Sequence, residues 1–441
     1  MTGLRELAAR CVFPSFPGDT PPDWVRAFLA AGGGGIVLFA YNARDRESLA
    51  ALTAALRAES PDVLLSLDEE GGDVTRLQWR EGSSYPGGAA LGFIDDPEAT
   101  ASVARSIAAE LAAVGVNWNL APVADVNVPA NPVIGTRAFG DDAELVARHV
   151  AAYVRGLQSL HVAACAKHFP GHGSTTQDSH LELPTLVGDL EAGLPPFRAA
   201  IAAGAASIMT AHVRVNELPA TVDPALLGDL LRGELGFDGV VFADALEMKA
   251  VSATIGVVET AVRALVGGAD ALCVGHDLGA DSVEAIVDAL ASQVPADRLA
   301  EAAGRIERLA EWARPEAGEP ARTAAAEAAR RAVETSGDVT LETSATVVEL
   351  RPVANIAAGE AEHGLAGAVV VREGEPVPPA DVYVVRDAHR HAWMRDAVDR
   401  PGAVVVEVGL PVWRPSKSRG FVASHGAGGA SLHAVEEVLG L

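Results

Sequence analysis

Several short stretches of the chain combine residues able to do acid, base and nucleophilic chemistry. They are Asp68-Glu69-Glu70-Gly71-Gly72, the run Lys167-His168-Phe169-Pro170-Gly171-His172-Gly173 with Asp178-Ser179-His180 soon after it, the isolated His212, and Asp244 within Phe242-Ala243-Asp244-Ala245-Leu246-Glu247-Met248. A carboxylate such as Asp244, flanked only by alanines, can attack an electrophilic carbon to give a covalent intermediate. An imidazole can protonate a leaving oxygen and then deprotonate water, and a neighbouring Asp sets its tautomer and orientation. The Asp-Ser-His spacing lets Asp178 and His180 face the same side of an extended loop. Taken singly, each residue has a plain structural explanation, because Asp after a strand often caps the next helix and a lone His is usually a satisfied core residue. A metal site is a further reading, since His168, His172, Asp178 and His180 are all potential ligands. His168 and His172 would share a helix face, but Pro170, Gly171 and Gly173 oppose a helix there.

What these stretches share is their position at the ends of short apolar runs. The runs lie at 10–14, 36–40, 63–67, 116–120, 163–167, 207–211, 240–243 and 271–274, each too short for a helix and most bounded by Gly, Pro, Asn or Asp. Buried parallel strands are the expected structure. Between them lie segments with helical apolar spacing, at 45–59, 98–114, 142–159, 189–202, 224–235 and 258–267. Alternation of this kind fits an α/β fold, a (β/α)₈ TIM-type barrel over 1–315, with a doubly wound open sheet as the alternative. In a barrel the reactive groups gather at the carboxyl ends of the strands, where all four stretches fall.

Composition shifts at 316–340, where Pro and Glu give way to an Ala/Arg-rich stretch that reads as a linker and connecting helix. Beyond it, 341–441 holds strand candidates at 345–350, 367–371, 382–385, 403–408 and 421–424 and a helix at 430–439, the pattern of a small α/β second domain. With 34 Lys and Arg against 59 Asp and Glu the net charge is −25, which argues against a nucleic-acid partner. Hydrophobic residues make up 49% of the 441 positions, enough for a substantial core. No stretch has the length and apolarity of a membrane span or signal peptide, so no membrane association is expected. Cys11, Cys165 and Cys273 are scattered among apolar or small neighbours, as in a protein of the reducing cytoplasm.

The run KHFPGHGSTTQDSH at 167–180, together with FADALEM around Asp244, DEEGGDVTR at 68–76 and NPVIGTRAFG at 131–140, resembles the family 3 glycoside hydrolases. Within that family the resemblance is strongest to the β-N-acetylglucosaminidases. It implies a retaining exo-acting β-N-acetylglucosaminidase in which Asp244 is the nucleophile and His180, backed by Asp178, is the acid/base. It also implies that Asp68 accepts hydrogen bonds from sugar hydroxyls, that Lys167 and His168 donate to the same ring, and that Arg76 and Arg137 add contacts. His212 matches a residue near the sugar, with a core role as the alternative, and Asp125 reads as loop structure bonding to Arg137. The loop at 171–177 reads as able to carry the dyad in and out of the site.

A small carbohydrate is the implied partner, an N-acetylglucosaminide such as a muropeptide fragment, and neither metal nor organic cofactor is implied. Two positions depart from the family pattern: alanines flank Asp244 where Ser or Asp is common, and Asp73 stands where Arg is common. A neutral imidazole does not repel phosphate, so a phosphorylase is an alternative, as is a β-glucosidase. A metal-dependent hydrolase or a non-catalytic sugar-binding protein ranks below these. The second domain is short beside those of two-domain relatives. Its cluster at 386–391 reads as interdomain surface or as an aglycone contact.

Overall fold

The computed structural model describes residues 3–275, 277–342, 344–354, 359 and 363–441. The eight apolar runs form eight parallel strands: β1 (Val12–Pro14), β2 (Gly35–Val37), β3 (Leu64–Leu67), β4 (Trp118–Asn119), β5 (Ala163–Phe169), β6 (Ser207–Thr210), β7 (Val240–Ala243) and β8 (Ala271–Val274). Their spatial order, β1-β8-β7-β6-β5-β4-β3-β2, follows the chain around a ring, and β1 packs beside β2 to bring the ends together. That order is the (β/α)₈ barrel and not the open doubly wound sheet, which would need a reversal of strand order. β7 and β8 match their apolar runs, β5 continues beyond its run through the Lys167-His168-Phe169 stretch, and the other five strands are shorter than theirs.

β4 has only two residues, and side chains make good its missing ladder. Asn117 accepts from the Leu65 amide at 2.7 Å and donates to the Val63 carbonyl at 3.2 Å. Asn119 accepts from the Glu69 amide at 3.0 Å and donates to the Glu69 carbonyl at 2.8 Å. A primary amide carries the donor and acceptor of a peptide unit, so each Asn supplies one more rung between β3 and β4. The second rung is made to Glu69, the residue between Asp68 and Glu70.

Aromatic rings fill the barrel interior. Phe13, Trp118 and Phe242 meet with ring centroids 4.8 to 5.5 Å apart, and the Trp118 indole N–H donates to Ser207 Oγ at 2.7 Å. Three of the surrounding helices begin on acidic caps: Asp45 for Arg46–Glu59, Asp96 for Pro97–Ala113 and Asp142 for Ala143–Gln158. Each carboxylate accepts an otherwise unbonded first-turn amide.

The second domain is a six-stranded sheet in the order β11-β10-β12-β13-β14-β9, with helices packed against it. Its strands are β9 (Glu334–Gly337), β10 (Val347–Arg351), β11 (Val369–Arg372), β12 (Val382–Val385), β13 (Val404–Glu407) and β14 (Gly420–Ala423). β9 runs antiparallel to β14 at the sheet edge, and the rest are parallel. β9 lies in the stretch read as linker and connecting helix, of which only Arg322–Arg331 is helical. Its sequence, Glu-Thr-Ser-Gly, is largely exposed and has no apolar alternation to announce a strand. A short helix at Ala392–Val398 also goes beyond the elements expected from the sequence. The connecting helix is tied to the barrel by Arg322–Glu110 and Arg331–Asp96 ion pairs at 2.7 and 2.8 Å.

The Gly-rich turn after β14 packs directly on the loop after β3. A Cβ at Gly428 would lie 2.7 Å from the Gly72 carbonyl, and Gly72 has φ +57°, so the two backbones meet at a contact only glycines allow. Replacing the fully buried Trp118 with Ala removes the centre of the barrel's aromatic cluster and leaves Ser207 without its donor. We expect a loss of about 3–5 kcal/mol, measured by urea denaturation against wild type.

Candidate active site

The carboxyl ends of β3, β5, β6 and β7 surround one end of the barrel. On β3's loop, Asp68 and Glu70 stand two residues apart and both face the Lys167 ammonium. Lys167 Nζ lies 2.6 Å from Asp68 Oδ1 and 2.7 Å from Glu70 Oε1, and the lysine is 2% exposed. Arg137 forks onto Glu70, with Nε and Nη2 at 2.9 and 2.7 Å from its two oxygens, and Arg76 sits 3.6 Å from Asp68. Burial alone would raise these carboxyl pKa values. Lys167 and Arg76 outweigh it at Asp68, and Arg137 and Lys167 outweigh it at Glu70, so both stay ionised well into acid. Glu69 behaves oppositely: burial pushes it up to about 6, although it accepts the Arg76 and Leu77 amides.

Asp125 is fully buried and serves β5's loop. One oxygen holds His168 Nδ1 at 2.7 Å and the other accepts the His172 amide at 2.6 Å. The expected Asp125–Arg137 bond does not form, because Arg137 is taken by Glu70, whose carboxylate matches its planar fork. Since an ionised carboxylate only accepts, His168 carries its Nδ1 proton toward Asp125, and Nε2 is left as acceptor in the neutral ring and donor in the imidazolium.

The loop carrying Asp178 and His180 has a scaffold of its own. His172 is buried and bonds Thr175 Oγ1 through Nδ1 and Ser179 Oγ through Nε2, each at 2.9 Å. Burial pushes its pKa down to about 4, so the ring is neutral near pH 7. The Asn131 amide bonds the His172, Gly173 and Thr175 carbonyls at 2.8 to 3.2 Å, and Ser179's carbonyl accepts the Ala250 amide at 3.3 Å. These bonds anchor both ends of the segment read as a moving gate. Asp178 Oδ1 holds His180 Nδ1 at 2.7 Å and the His180 amide at 2.9 Å. His180 is partly exposed, and its Nε2 is the edge available to a ligand.

Asp244 follows β7. Burial drives its carboxyl up, but the imidazoles of His212 and His168, the Ala245 amide at 2.8 Å and the imidazole of His180 together hold it below the ordinary carboxylate range. His212 is fully buried, donating through Nε2 to the Ala245 carbonyl at 2.9 Å and accepting the Thr221 hydroxyl at Nδ1, 2.7 Å away. Both ring nitrogens are occupied by protein, which places His212 behind Asp244's loop and not facing the opening. Glu247 supports the same loop from below, accepting the Gly275 amide at 2.9 Å.

Asp244, His180, Asp178, Asp68, Arg76, Lys167 and His168 thus share one rim, with Arg137 one step behind, bound to Glu70. Among the described residues, no group of three His, Cys, Asp or Glu is arranged to hold a metal ion. Of the two histidines read as a metal pair, His172 has both ring nitrogens bonded to protein hydroxyls, Thr175 and Ser179. Glu70 is the residue that sequence reasoning missed, although its spacing from Asp68 carried the signal. Two carboxylates on one strand face require a cation opposite, and Lys167 is the buried one.

Residues 23–309 match the model of the glycosyl hydrolase family 3 N terminal domain. A Beta-hexosaminidase of Stenotrophomonas maltophilia is 40% identical over 269 residues, which are 58% of this chain and 78% of that protein. The solved glycoside hydrolase family 3 beta-N-acetylglucosaminidase from Paenibacillus sp. superposes with TM-score 0.88 at 30% identity, covering 100% of this chain and 97% of that one. NagZ from Neisseria gonorrhoeae, solved in complex with N-trifluoroacetyl-D-glucosamine, superposes with TM-score 0.62 at 33% identity, covering 71% of this chain and 92% of that one. The Paenibacillus superposition spans the second domain as well as the barrel.

Glu70→Gln leaves Arg137 and Lys167 short of a negative charge in a buried setting and should lose about 3–5 kcal/mol. Because Asp68 and Glu70 have depressed folded pKa values, their contribution is complete above the unfolded carboxylate range of about 4 and drains away as pH falls below it. The urea midpoint of wild type should fall between about pH 5 and pH 3, and the Glu70→Gln variant should show a shallower slope over that window.

Proposed function

The chain belongs to glycosyl hydrolase family 3, and from that premise we propose a retaining exo-β-N-acetylglucosaminidase whose nucleophile is Asp244 and whose acid/base is His180. The observation that carries the reading is the 2.7 Å His180–Asp178 pair at the same barrel end as Asp244. Asp178 accepts the Nδ1–H hydrogen bond, which fixes the ring and leaves Nε2 to do the chemistry. As imidazolium, Nε2 gives its proton to the glycosidic oxygen while Asp244 attacks the anomeric carbon. The neutral ring then takes a proton from water, which displaces Asp244 from the sugar and restores both groups. Asp68, Lys167 and His168, with Arg76, supply the polar contacts that hold the sugar ring over Asp244. Arg137 acts by holding Glu70. His212 acts by holding the Ala245 carbonyl.

A cavity of about 340 Å³ opens beside Asp178, between the barrel rim and the second domain. Its wall includes Leu181, Leu410 and Arg390, whose guanidinium makes only a 3.4 Å bond to the Asn131 carbonyl and meets no carboxylate among the described residues. Space, apolar surface and a cation on the leaving-group side of the dyad suit an aglycone bearing a carboxylate, as a muropeptide fragment does. No described helix is long and apolar enough to cross a membrane. The three cysteines are free and buried, which supports a cytoplasmic setting.

Turnover of aryl β-N-acetylglucosaminide should exceed that of the corresponding glucoside, and Asp244→Ala should lower kcat by roughly a thousandfold or more. A preference for the glucoside would move the substrate elsewhere in the family, and unchanged turnover in the variant would remove Asp244 from its role. With Asp244 depressed below the usual carboxylate range, ionisation of the nucleophile should not produce an acid limb in kcat/KM above about pH 4. His180→Ala should slow substrates with poorly leaving alcohols by about 10²–10⁴-fold and good phenol leaving groups far less. The same assays run in phosphate buffer should release the free sugar. Release of a sugar 1-phosphate would make the enzyme a phosphorylase.

A further inference from the structure

We propose that Arg386, in the second domain, is a positioning residue for the barrel's sugar-binding face, acting through Asp73. Asp73 lies in the loop after β3, between Asp68 and Arg76, and its side chain is 4% exposed. Its Oδ2 accepts from Arg386 Nη2 at 2.6 Å and from the Thr136 hydroxyl at 2.5 Å. Its Oδ1 accepts the Ala427 amide at 2.7 Å, in the Gly-rich turn that leads from β14 into the helix Gly429–Leu439.

These are the parts of an anion site: a parallel sheet's carboxyl end, a Gly-rich turn into a helix, and an arginine. Here the anion comes from the barrel. Arg386 is itself fixed, because the fully buried Glu407 accepts the amides of Asp387 and Ala388 at 2.7 and 3.0 Å and so shapes the turn after β12.

From Asp73 the contacts lead directly to the sugar face. Thr136 precedes Arg137, Arg137 forks onto Glu70, Glu70 shares Lys167 with Asp68, and Asp68 faces Arg76. Asp73 also sits on the same short loop as Asp68 and Arg76, whose shape it therefore helps to set. Removing Arg386 leaves a buried carboxylate with a lost cation, and the least costly relief is movement of Asp73, which displaces that loop. This is one route from the second domain to the sugar contacts, beside the bonds of His389 and Arg390 to the 129–131 loop. The connecting helix is docked elsewhere, by Arg331 on Asp96, so domain attachment does not depend on Arg386.

The inference rests on the reading that Asp68, Lys167 and Arg76 bind the sugar. Such contacts act on ground and transition states alike, so their loosening appears in KM. Arg386→Ala and Asp73→Asn should each raise KM for an aryl β-N-acetylglucosaminide about tenfold and weaken inhibition by free N-acetylglucosamine in parallel, with kcat within about threefold of wild type. The double variant should be no worse than either single one, and Arg386→Lys should recover part of the loss. Arg331→Ala, which breaks a docking contact outside the Asp73 network, should leave KM within about twofold of wild type.

A fall in kcat at constant KM would mean lost active enzyme and would overturn the proposal, as would equal KM changes in Arg386→Ala and Arg331→Ala. If Arg386→Ala does not fold, Asp73→Asn and Arg386→Lys decide by the same KM criterion. If wild type turns over only the glucoside, the substrate reading fails, and the KM comparison is made on the glucoside.

Discussion

The active end of this protein is organised around one buried cation. Lys167 is 2% exposed and has carboxylates on two sides, at 2.6 and 2.7 Å. An ammonium in that position is unstable without them, and they in turn are unstable without it, because each charge alone would carry a desolvation penalty of several kcal/mol. Burial works to lower the Lys167 pKa, yet Asp68 and Glu70 raise it above its ordinary value. The placing of Asp68 and Glu70 on β3's loop and the fork of Arg137 onto Glu70 both serve that charge. Asp68 keeps one oxygen on Lys167 and leaves the other beside Arg76, which is how a single carboxylate can be both fixed in place and available to hydroxyl groups.

Imidazoles divide by the same logic into those backed by a carboxylate and those bonded only to hydroxyls and a carbonyl. His180 and His168 each give one nitrogen to a carboxylate and keep the other toward the opening. His172 and His212 spend both nitrogens on hydroxyls and a carbonyl, and burial lowers the pKa of both. The difference lies in the partners: a carboxylate behind the ring fixes its orientation through one nitrogen, while hydroxyl or carbonyl contacts on both sides make the ring a spacer.

Much of this could be read from residue types. Short apolar runs bounded by turn residues located the barrel strands, and the clustering of Asp68, Lys167, His180 and Asp244 at their ends located the rim. The shortfall has a physical pattern. Ladder support from Asn117 and Asn119 is invisible to periodicity, since a side-chain amide acts as backbone there. β9 has no apolar alternation because it is an exposed edge strand. Asp125 and Arg137 invite pairing because both are charged and close in sequence, whereas the fold offers each a better-shaped partner in His168 and Glu70. Asp73 looks, in the sequence, like a departure from a family pattern. Only the tertiary structure shows Arg386 and the Ala427 amide waiting for its charge, from residues far along the chain in another domain.

The meeting of Gly72 with Gly428, with Asp73 seated next to it, makes the two halves of the chain a matched pair and not a barrel with an appendage. Residue 73 is in effect an address: its negative charge fits this second domain and would be a liability in a barrel standing alone, where it would face the same surroundings with no arginine to receive it. Exchange of second domains among related barrels is therefore constrained at a position that never touches the sugar. A chimera would have to carry residues 73, 386 and the turn at 426–429 together to bring the two surfaces into register.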